Sequence, residues 1–262
     1  MKGGYQKQIS NKLKDERIGE IDSNAYGTLM KIVEYIDSHN ILVEFQDEYK
    51  YRTKTTYHSF KNNNVKNPYD KVVFNVGCIG DGYYTQKEYP EIYSVWHGMI
   101  GRCYDEKFFV SHPTYSECYV CDEWLNFQNF ASWWEVNYYE VPYENVVLDK
   151  DIIYKGNRVY SPETCVFVPG SINALFTKRQ NCRGELPIGC SINKNRIIVR
   201  CCDGNGNRVV VGRFPIGCEL EAFNAYKLFK ESVIKDIAEN YSYIIPDILY
   251  HAMINYEVEI DD

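Results

Sequence analysis

The segment that most constrains the fold lies near position 200, where two apolar runs flank Asp-Gly-Asn-Gly-Asn at residues 203–207. Such residues between two strand-like runs are typical of a β-hairpin, because they accept the positive φ angles of a tight turn. A third strand-like run precedes the hairpin, and a helical pattern with Phe223 and Tyr226 on one face follows it. The sequence therefore predicts a three-stranded sheet plus a helix at 181–242, and a C-terminal helix at 243–262.

Basic residues are concentrated in the same part of the chain. The whole chain has a net charge of -7, whereas residues 177–214 hold eight basic residues against two acidic ones, or about +6. This separation indicates a polyanion partner for one face, because Lys and Arg bind phosphates and Arg also pairs with guanine edges. An ordinary solvated β surface is the alternative. The candidate DNA-binding residues are Lys178, Arg179, Arg183, Lys194, Arg196, Arg200, Arg208 and Arg213.

This segment resembles the plant ethylene-response-factor (APETALA-type) DNA-binding domain. The matching stretches are Gly-Cys-Ser at 189–191, the strand NRIIVRC, the hairpin, Val-Gly-Arg-Phe at 211–214, and Glu-Ala-Phe with Ala-Tyr at the start of the helix. The resemblance implies double-stranded DNA as the partner. The family reads the major groove with Arg and Trp on its sheet. This segment has the arginines but no Trp, so the family's specific contacts do not transfer whole.

Residues 146–173, VVLDKDIIYKGNRVYSPETCVFVPGSIN, carry a second pattern. An apolar strand ends at Asp149 and Lys150, a turn and a second strand follow, and Asn173 comes early in a predicted helix. A carboxylate at a strand end and an amide at a helix start suit a hard cation such as Mg²⁺. The layout fits either one divalent metal or an ordinary hairpin with polar ends.

The same stretch resembles the HNH nuclease module of bacteriophage homing endonucleases, which an APETALA-type domain commonly follows. The resemblance covers roughly residues 90–180 and includes the lead-in segments WHGMIGRCY and VCDEWLNFQNFASW. It implies that Asp149 and Asn173 bind Mg²⁺ (or Mn²⁺) for phosphodiester hydrolysis. It also puts Lys150 at the position of the general-base histidine and Thr164 at that of the orienting asparagine.

These two departures weaken the implied chemistry. Lysine has an unperturbed pKa of about 10.4 and is a poor base at neutral pH. A general base contributes about 10²–10⁴-fold to the rate, so its loss would leave a weak nuclease or none. His97 and His112 are other candidate bases, although a lone histidine is more often structural.

A second metal hypothesis concerns cysteines. Cys118 and Cys121 form a C-x-x-C, with Cys103 and His112 upstream and Cys165 downstream. Such residues can bind a structural Zn²⁺. The matched second C-x-x-C of a zinc ribbon is absent, so buried reduced thiols are the preferred interpretation.

The first 88 residues predict a small β-rich module. Apolar runs at 29–36 and 41–45 are separated by a turn, and a third strand covers 49–56. The strand count resembles an SH3-like barrel, whose ligand the sequence does not specify. The polar N-terminus argues against a signal peptide. The lack of an apolar run of about 18 residues argues against a membrane partner. Ten scattered cysteines are typical of a cytoplasmic protein, in the host cytoplasm if it is phage-encoded.

The predicted fold class is therefore α+β, in four parts. A small β-barrel-like module at 1–88 precedes a ββα-metal (HNH-like) core at 89–180, and the sheet-plus-helix domain and terminal helix complete the chain. We expect an HNH homing-endonuclease-like DNA-binding protein whose cleavage is weakened or lost. The alternatives are a non-catalytic DNA-binding regulator and a phage counter-defence protein that acts through protein–protein binding.

Overall fold

The computed structural model describes residues 14–177 and 186–260. The protein is mixed α+β, as predicted. No helix in these two ranges is long and apolar enough to cross a membrane. The chain divides into two compact units: unit 1 is Met1–Ser116 with Val120–Ser132, and unit 2 is Glu117–Tyr119 with Trp133–Asp262.

Unit 1 begins with a four-stranded antiparallel sheet in which each strand pairs with the next one along the chain. Side chains alternate between buried and less buried positions along much of the two long central strands, because successive residues of a strand point to opposite faces. The predicted pair of apolar runs and the third strand are confirmed. The strands are β1 (Ile21–Ser23), β2 (Leu29–Asp37), β3 (Asn40–Phe45) and β4 (Arg52–Thr55).

The predicted barrel is wrong. Among the described residues the sheet is open, since β1 and β4 are its two edges and do not pair. Closing a sheet into a barrel requires its first and last strands to pair, and here these two strands have only three and four residues. Instead, Phe60 of helix α1 (Tyr57–Lys61) and Val65 after it join the buried cluster of Phe45 and cover one face of the sheet.

The middle of the chain is helical at the predicted places. Trp96 and Trp124 are fully buried there, and Trp96 Nε1 donates a hydrogen bond to the Trp124 carbonyl at 2.7 Å. The elements are α2 (Pro90–Tyr104), α3 (Glu106–Ser111), a 3₁₀ turn (Pro113–Glu117), β5 (Tyr119–Val120), a second 3₁₀ turn (Asp122–Leu125) and α4 (Phe127–Asn137).

Unit 2 contains a hairpin followed by a helix. Strand β6 (Val146–Asp149) pairs antiparallel with β8 (Val166–Pro169), and helix α5 (Gly170–Phe176) follows at once. The connection between the two strands includes the short β7 (Val159–Tyr160). The second long strand therefore starts after the Ser-Pro-Glu stretch, which forms a turn.

A three-stranded antiparallel sheet and a long helix follow, as predicted. The sheet order is β11–β10–β9. In the predicted hairpin turn, Asp203 Oδ1 accepts hydrogen bonds from the backbone N–H groups of Asn205 and Asn207 at 2.8 and 3.1 Å. The elements are β9 (Cys190–Asn193), β10 (Arg196–Cys202), β11 (Arg208–Pro215), α6 (Glu219–Tyr241) and α7 (Asp247–Ile254).

Helix α6 covers one face of this sheet. Ile197, Val199 and Cys201 alternate along β10 and are buried in one cluster with Phe223 and Tyr226 of α6. The period-2 geometry of the strand puts the residues between them on the opposite face.

Gly189, the residue before β9, lies close to α6. Its φ angle is +78°, and a Cβ built there would lie 2.1 Å from Tyr226 Cδ2. We expect Gly189→Ala to lower the free energy of unfolding by about 1–2 kcal/mol from backbone strain and a further 1–3 kcal/mol or so from overpacking, measured by urea denaturation. The matched control is Gly206→Ala, since Gly206 has a φ of +85° with no atom within 4 Å of the new Cβ. Equal losses in the two variants would contradict the close contact.

Candidate nucleic-acid interface and metal site

The strand register puts four of the predicted DNA-binding residues on one face of the sheet. Directly paired residues of an antiparallel ladder point to the same face. Arg213 pairs with Ile198, and Arg208 pairs with Cys202. Because Ile198 and Cys202 alternate with the residues that face α6, both arginines lie on the far side of the sheet. We call this surface the basic face, and it consists of Arg196, Arg200, Arg208 and Arg213.

The positive charge of the basic face is not neutralised within the described parts of unit 2. None of its four guanidinium groups forms an ion pair with a described acidic residue. Arg196, Arg208 and Arg213 are exposed, and half-buried Arg200 donates a hydrogen bond from Nη1 to Ser191 Oγ at 3.1 Å. The face therefore offers guanidinium donors to an anion.

The other predicted DNA-binding residues are only partly described. Lys194 is exposed in the two-residue turn between β9 and β10, with a φ of 46°. Lys178, Arg179 and Arg183 lie outside the described residues, so their part in the interface stays a prediction.

Asp149 ends strand β6 and is half-buried. Its Oδ1 accepts hydrogen bonds from the backbone N–H groups of Asp151 at 2.9 Å and Ile152 at 2.8 Å. Burial, and then the nearby Asp151 carboxylate, raise the pKa of Asp149 above its ordinary value. Oδ2 accepts no hydrogen bond from the described residues. One oxygen thus shapes the turn, and the other can bind a cation.

Asn173 lies in α5 and is half-buried. Its side-chain amide makes no hydrogen bond to any residue in the described ranges. The neighbouring Ile172 belongs to a buried cluster with Ile152 and with Val166, the residue that pairs with Asp149. Helix α5 therefore packs into the same core as the Asp149 end of the hairpin. The shared cation of Asp149 and Asn173 stays a prediction.

Lys150 and Thr164 both hold the connection between β6 and β8. Lys150 is only 9% exposed, and its Nζ donates hydrogen bonds to the Asn157 carbonyl at 2.9 Å and to Asp151 Oδ2 at 3.1 Å. Thr164 Oγ1 donates to the Val159 carbonyl at 2.7 Å. The ammonium of Lys150 is thus a donor bound to two acceptors, which opposes its use as a base.

Asn157 is a structural residue that the sequence reasoning missed. Its Nδ2 donates hydrogen bonds to the carbonyls of Lys150 at 2.6 Å and Val159 at 2.7 Å, and its Oδ1 accepts from the Val159 N–H at 3.2 Å. Lys150 and Asn157 therefore hold each other's backbone carbonyl across the connection. The Gly-Asn pair at 156–157 predicted a turn, but nothing in its local pattern indicated these hydrogen bonds to a residue seven positions earlier.

The zinc hypothesis gains no support from the described residues. No group of three or more His, Cys, Asp or Glu side chains in those ranges could bind a metal ion. Burial raises the pKa of the Cys165 thiol to about 12. His97 packs against the rings of Phe74 and Tyr93 in unit 1, and His112 of the same unit stacks on a neighbouring ring. These contacts are typical of structural histidines.

No known protein family matches the chain, and neither a curated protein nor a solved structure matches it. The resemblances to HNH nucleases and to the ethylene-response-factor domain therefore rest on the quoted residues and on the order of the elements.

The raised pKa of Asp149 predicts that this carboxylate costs stability at neutral pH. A raised folded-state pKa favours folding below the unfolded value of 3.8, and this contribution is lost as the pH rises through the folded value. We expect Asp149→Asn, whose Oδ1 can still accept both backbone hydrogen bonds, to unfold at higher urea concentration than wild type at neutral pH. The difference should shrink as the pH falls toward 3.8.

Magnesium provides the matching test of the ligand role. At a Mg²⁺ concentration about 100 times the dissociation constant, a one-site ligand stabilises the folded protein by about 2.7 kcal/mol. Wild type should gain stability in this way, and Asp149→Asn should gain much less because it lacks the anionic oxygen. An equal gain in both proteins would exclude Asp149 as a ligand.

Proposed function

We propose that this protein binds double-stranded DNA through the basic face. The observation that carries the proposal is the set of four arginines on one side of a three-stranded sheet without an acidic partner among the described residues. Phosphates attract such groups, and binding releases the counterions of DNA. The chain as a whole has a net charge of -7, so a local surface, and not general attraction, has to supply the affinity.

The dimensions of the sheet are consistent with this proposal. Arg196 and Arg200 are four residues apart on β10, which corresponds to about 13 Å of strand. The major groove of B-DNA is about 12 Å wide and admits a two-stranded β-ribbon. Arginines on neighbouring strands could then reach both phosphates and guanine edges. The arginines of the ethylene-response-factor family lie on its sheet in the same way, and this likeness supports the proposal.

Removal of two basic-face arginines tests this proposal. Arg196 and Arg213 are exposed on neighbouring strands, and their guanidinium groups donate no hydrogen bond to a described residue. We expect their joint replacement by Ala to weaken duplex binding and to reduce the slope of log K against log salt by up to about 1.8, because each phosphate contact contributes about 0.9. Fluorescence anisotropy with a labelled duplex across a salt series measures the slope.

The control removes the same charge from elsewhere in unit 2. Arg158 forms an exposed ion pair with Glu117, and Lys235 is exposed on α6, whose opposite side packs against the sheet. Their joint replacement by Ala should leave the salt slope unchanged. If the two double variants lower the slope equally, the interaction is general charge attraction and the basic face is not the DNA interface.

The second candidate function is metal-dependent cleavage of the bound DNA, weakened or lost. The observations in its favour are the strand–connection–strand–helix order and the carboxylate oxygen of Asp149 that accepts no hydrogen bond from described residues. With Asn173, it would hold Mg²⁺ or Mn²⁺, which stabilises charge on a phosphate. Lys150 opposes high activity, because its amine is bound to the Asn157 carbonyl and to Asp151.

Replacement of Lys150 tests this second function. We expect wild type to nick supercoiled plasmid slowly or not at all with Mg²⁺, and Lys150→His to increase the rate, because an imidazole titrates near pH 6.5 and can accept a proton. The matched control is the double variant Asp149→Ala/Lys150→His, which should be inactive. Efficient wild-type cleavage that Lys150→His lowers would mean that the base is a different residue. Duplex binding without cleavage in every variant would favour the non-catalytic regulator.

A further inference from the structure

A cleft at the edge of the three-stranded sheet is lined by several basic side chains. Its volume is about 470 Å³, within the range of sites that bind small molecules. Strand β9 begins at Cys190, which pairs with Val199, so β10 extends beyond β9 at this end. Arg200 and Cys202 belong to that extension and line the cleft. Its walls include Arg200 and Arg208 of the basic face together with Lys230 of α6.

Lys230 has an unusual environment for a lysine. It lies on the side of α6 that packs on the sheet, one turn beyond Tyr226, and it is only 9% exposed. No hydrogen bond or ion pair joins its amine to a residue in the described ranges. Burial lowers the pKa of Lys230. A buried amine without a partner costs free energy, and a bound anion would remove that cost.

A hydrogen bond between Ser191 and Arg200 positions one guanidinium group for an anion in the cleft. The hydrogen bond from Arg200 Nη1 to Ser191 Oγ holds this guanidinium group at the cleft wall. Arg208 is exposed on the adjacent strand and forms no ion pair with a described residue. Hydrogen bonds from Arg to a phosphate are charge-assisted on both sides and are among the stronger hydrogen bonds in proteins.

Part of the cleft lining is aromatic. Phe176 at the end of α5 and Tyr256 after α7 both line the cleft, with ring centroids 4.8 Å apart and ring planes at 70°. An aromatic wall next to a group of cations suits a ligand that carries both a flat ring and a phosphate, since nucleobases stack on aromatic side chains.

We propose that this cleft binds the phosphate group of a nucleotide, with Lys230, Arg200 and Arg208 as its cationic ligands. The nucleotide is either part of a DNA strand or free in solution, and the chemistry of recognition is the same for both. The DNA source rests on the function proposed above, whereas the phosphate site itself does not. Arg196 and Arg213 are not among the residues that line the cleft, so the two proposals can fail separately.

The experiment uses the full chain and the variant Lys230→Met, which keeps the length of the side chain and removes its charge. Because the amine has no hydrogen-bond partner among the described residues, we expect this variant to fold. Lys235→Met is the control, since it makes the same change at an exposed position of the same helix. Binding of inorganic phosphate and of deoxyadenosine monophosphate is measured by isothermal titration calorimetry, with chloride keeping the ionic strength constant.

We expect Lys230→Met to weaken both ligands by about tenfold or more, the usual effect of losing a hydrogen bond to a charged group, and Lys235→Met to bind them like wild type. If Lys230→Met also weakens duplex binding, DNA is the source of the phosphate. If duplex binding is unchanged, a free nucleotide is the source. Should Lys230→Met not fold, Arg208→Gln tests the same site from an exposed position.

Two results would overturn the proposal. One is that wild type binds neither inorganic phosphate nor the mononucleotide at constant ionic strength. The other is that Lys230→Met and Lys235→Met bind both ligands as tightly as wild type. The double variant of Arg196 and Arg213 separates the two proposals, because it should lose duplex affinity while it still binds the mononucleotide.

Discussion

The contact of α6 with one face of the three-stranded sheet decides the direction of the other side chains in this part of unit 2. Once Ile197, Val199 and Cys201 are buried against the helix, Arg196 and Arg200 have to point to the opposite face. The ladder then brings the arginines of β11 to the same face. The basic face is therefore a consequence of core packing, which is sufficient to put these arginines together on one side of the sheet.

The same contact explains two exceptional residues. Gly189 has no side chain because the Tyr226 ring occupies the space where a Cβ would lie. Lys230 takes a position that the period of α6 assigns to the core, between Tyr226 and Val233. An apolar residue there would pack without a desolvation cost. This desolvation cost, at a position that borders a cleft, is the reason for the proposal that an anion binds there.

In the hairpin and helix at residues 146–176, one polar residue lowers stability and others increase it. Asp149 bears the cost of a half-buried carboxylate with a raised pKa, which is typical of functional carboxylates. Lys150, Asn157 and Thr164 instead satisfy backbone carbonyls within the connection. Lys150 and Thr164, to which the HNH resemblance assigns the roles of base and orienting residue, therefore stabilise the connection through hydrogen bonds. This arrangement opposes efficient cleavage and leaves the proposal of DNA binding unaffected.

The sequence by itself determined the local elements: the hairpin at 203–207, the helices at 90–104 and 219–241, and the strand that ends at Asp149. Turn residues and hydrophobic period act over a few positions, so they can be read without a structure. Only the tertiary structure decided that the N-terminal sheet stays open, that Asn157 binds Lys150, and that Lys230 borders a cleft with two arginines. These features depend on how separate strands, helices and connections pack together. The period of a strand or helix shows which side of it is apolar but not what covers that side.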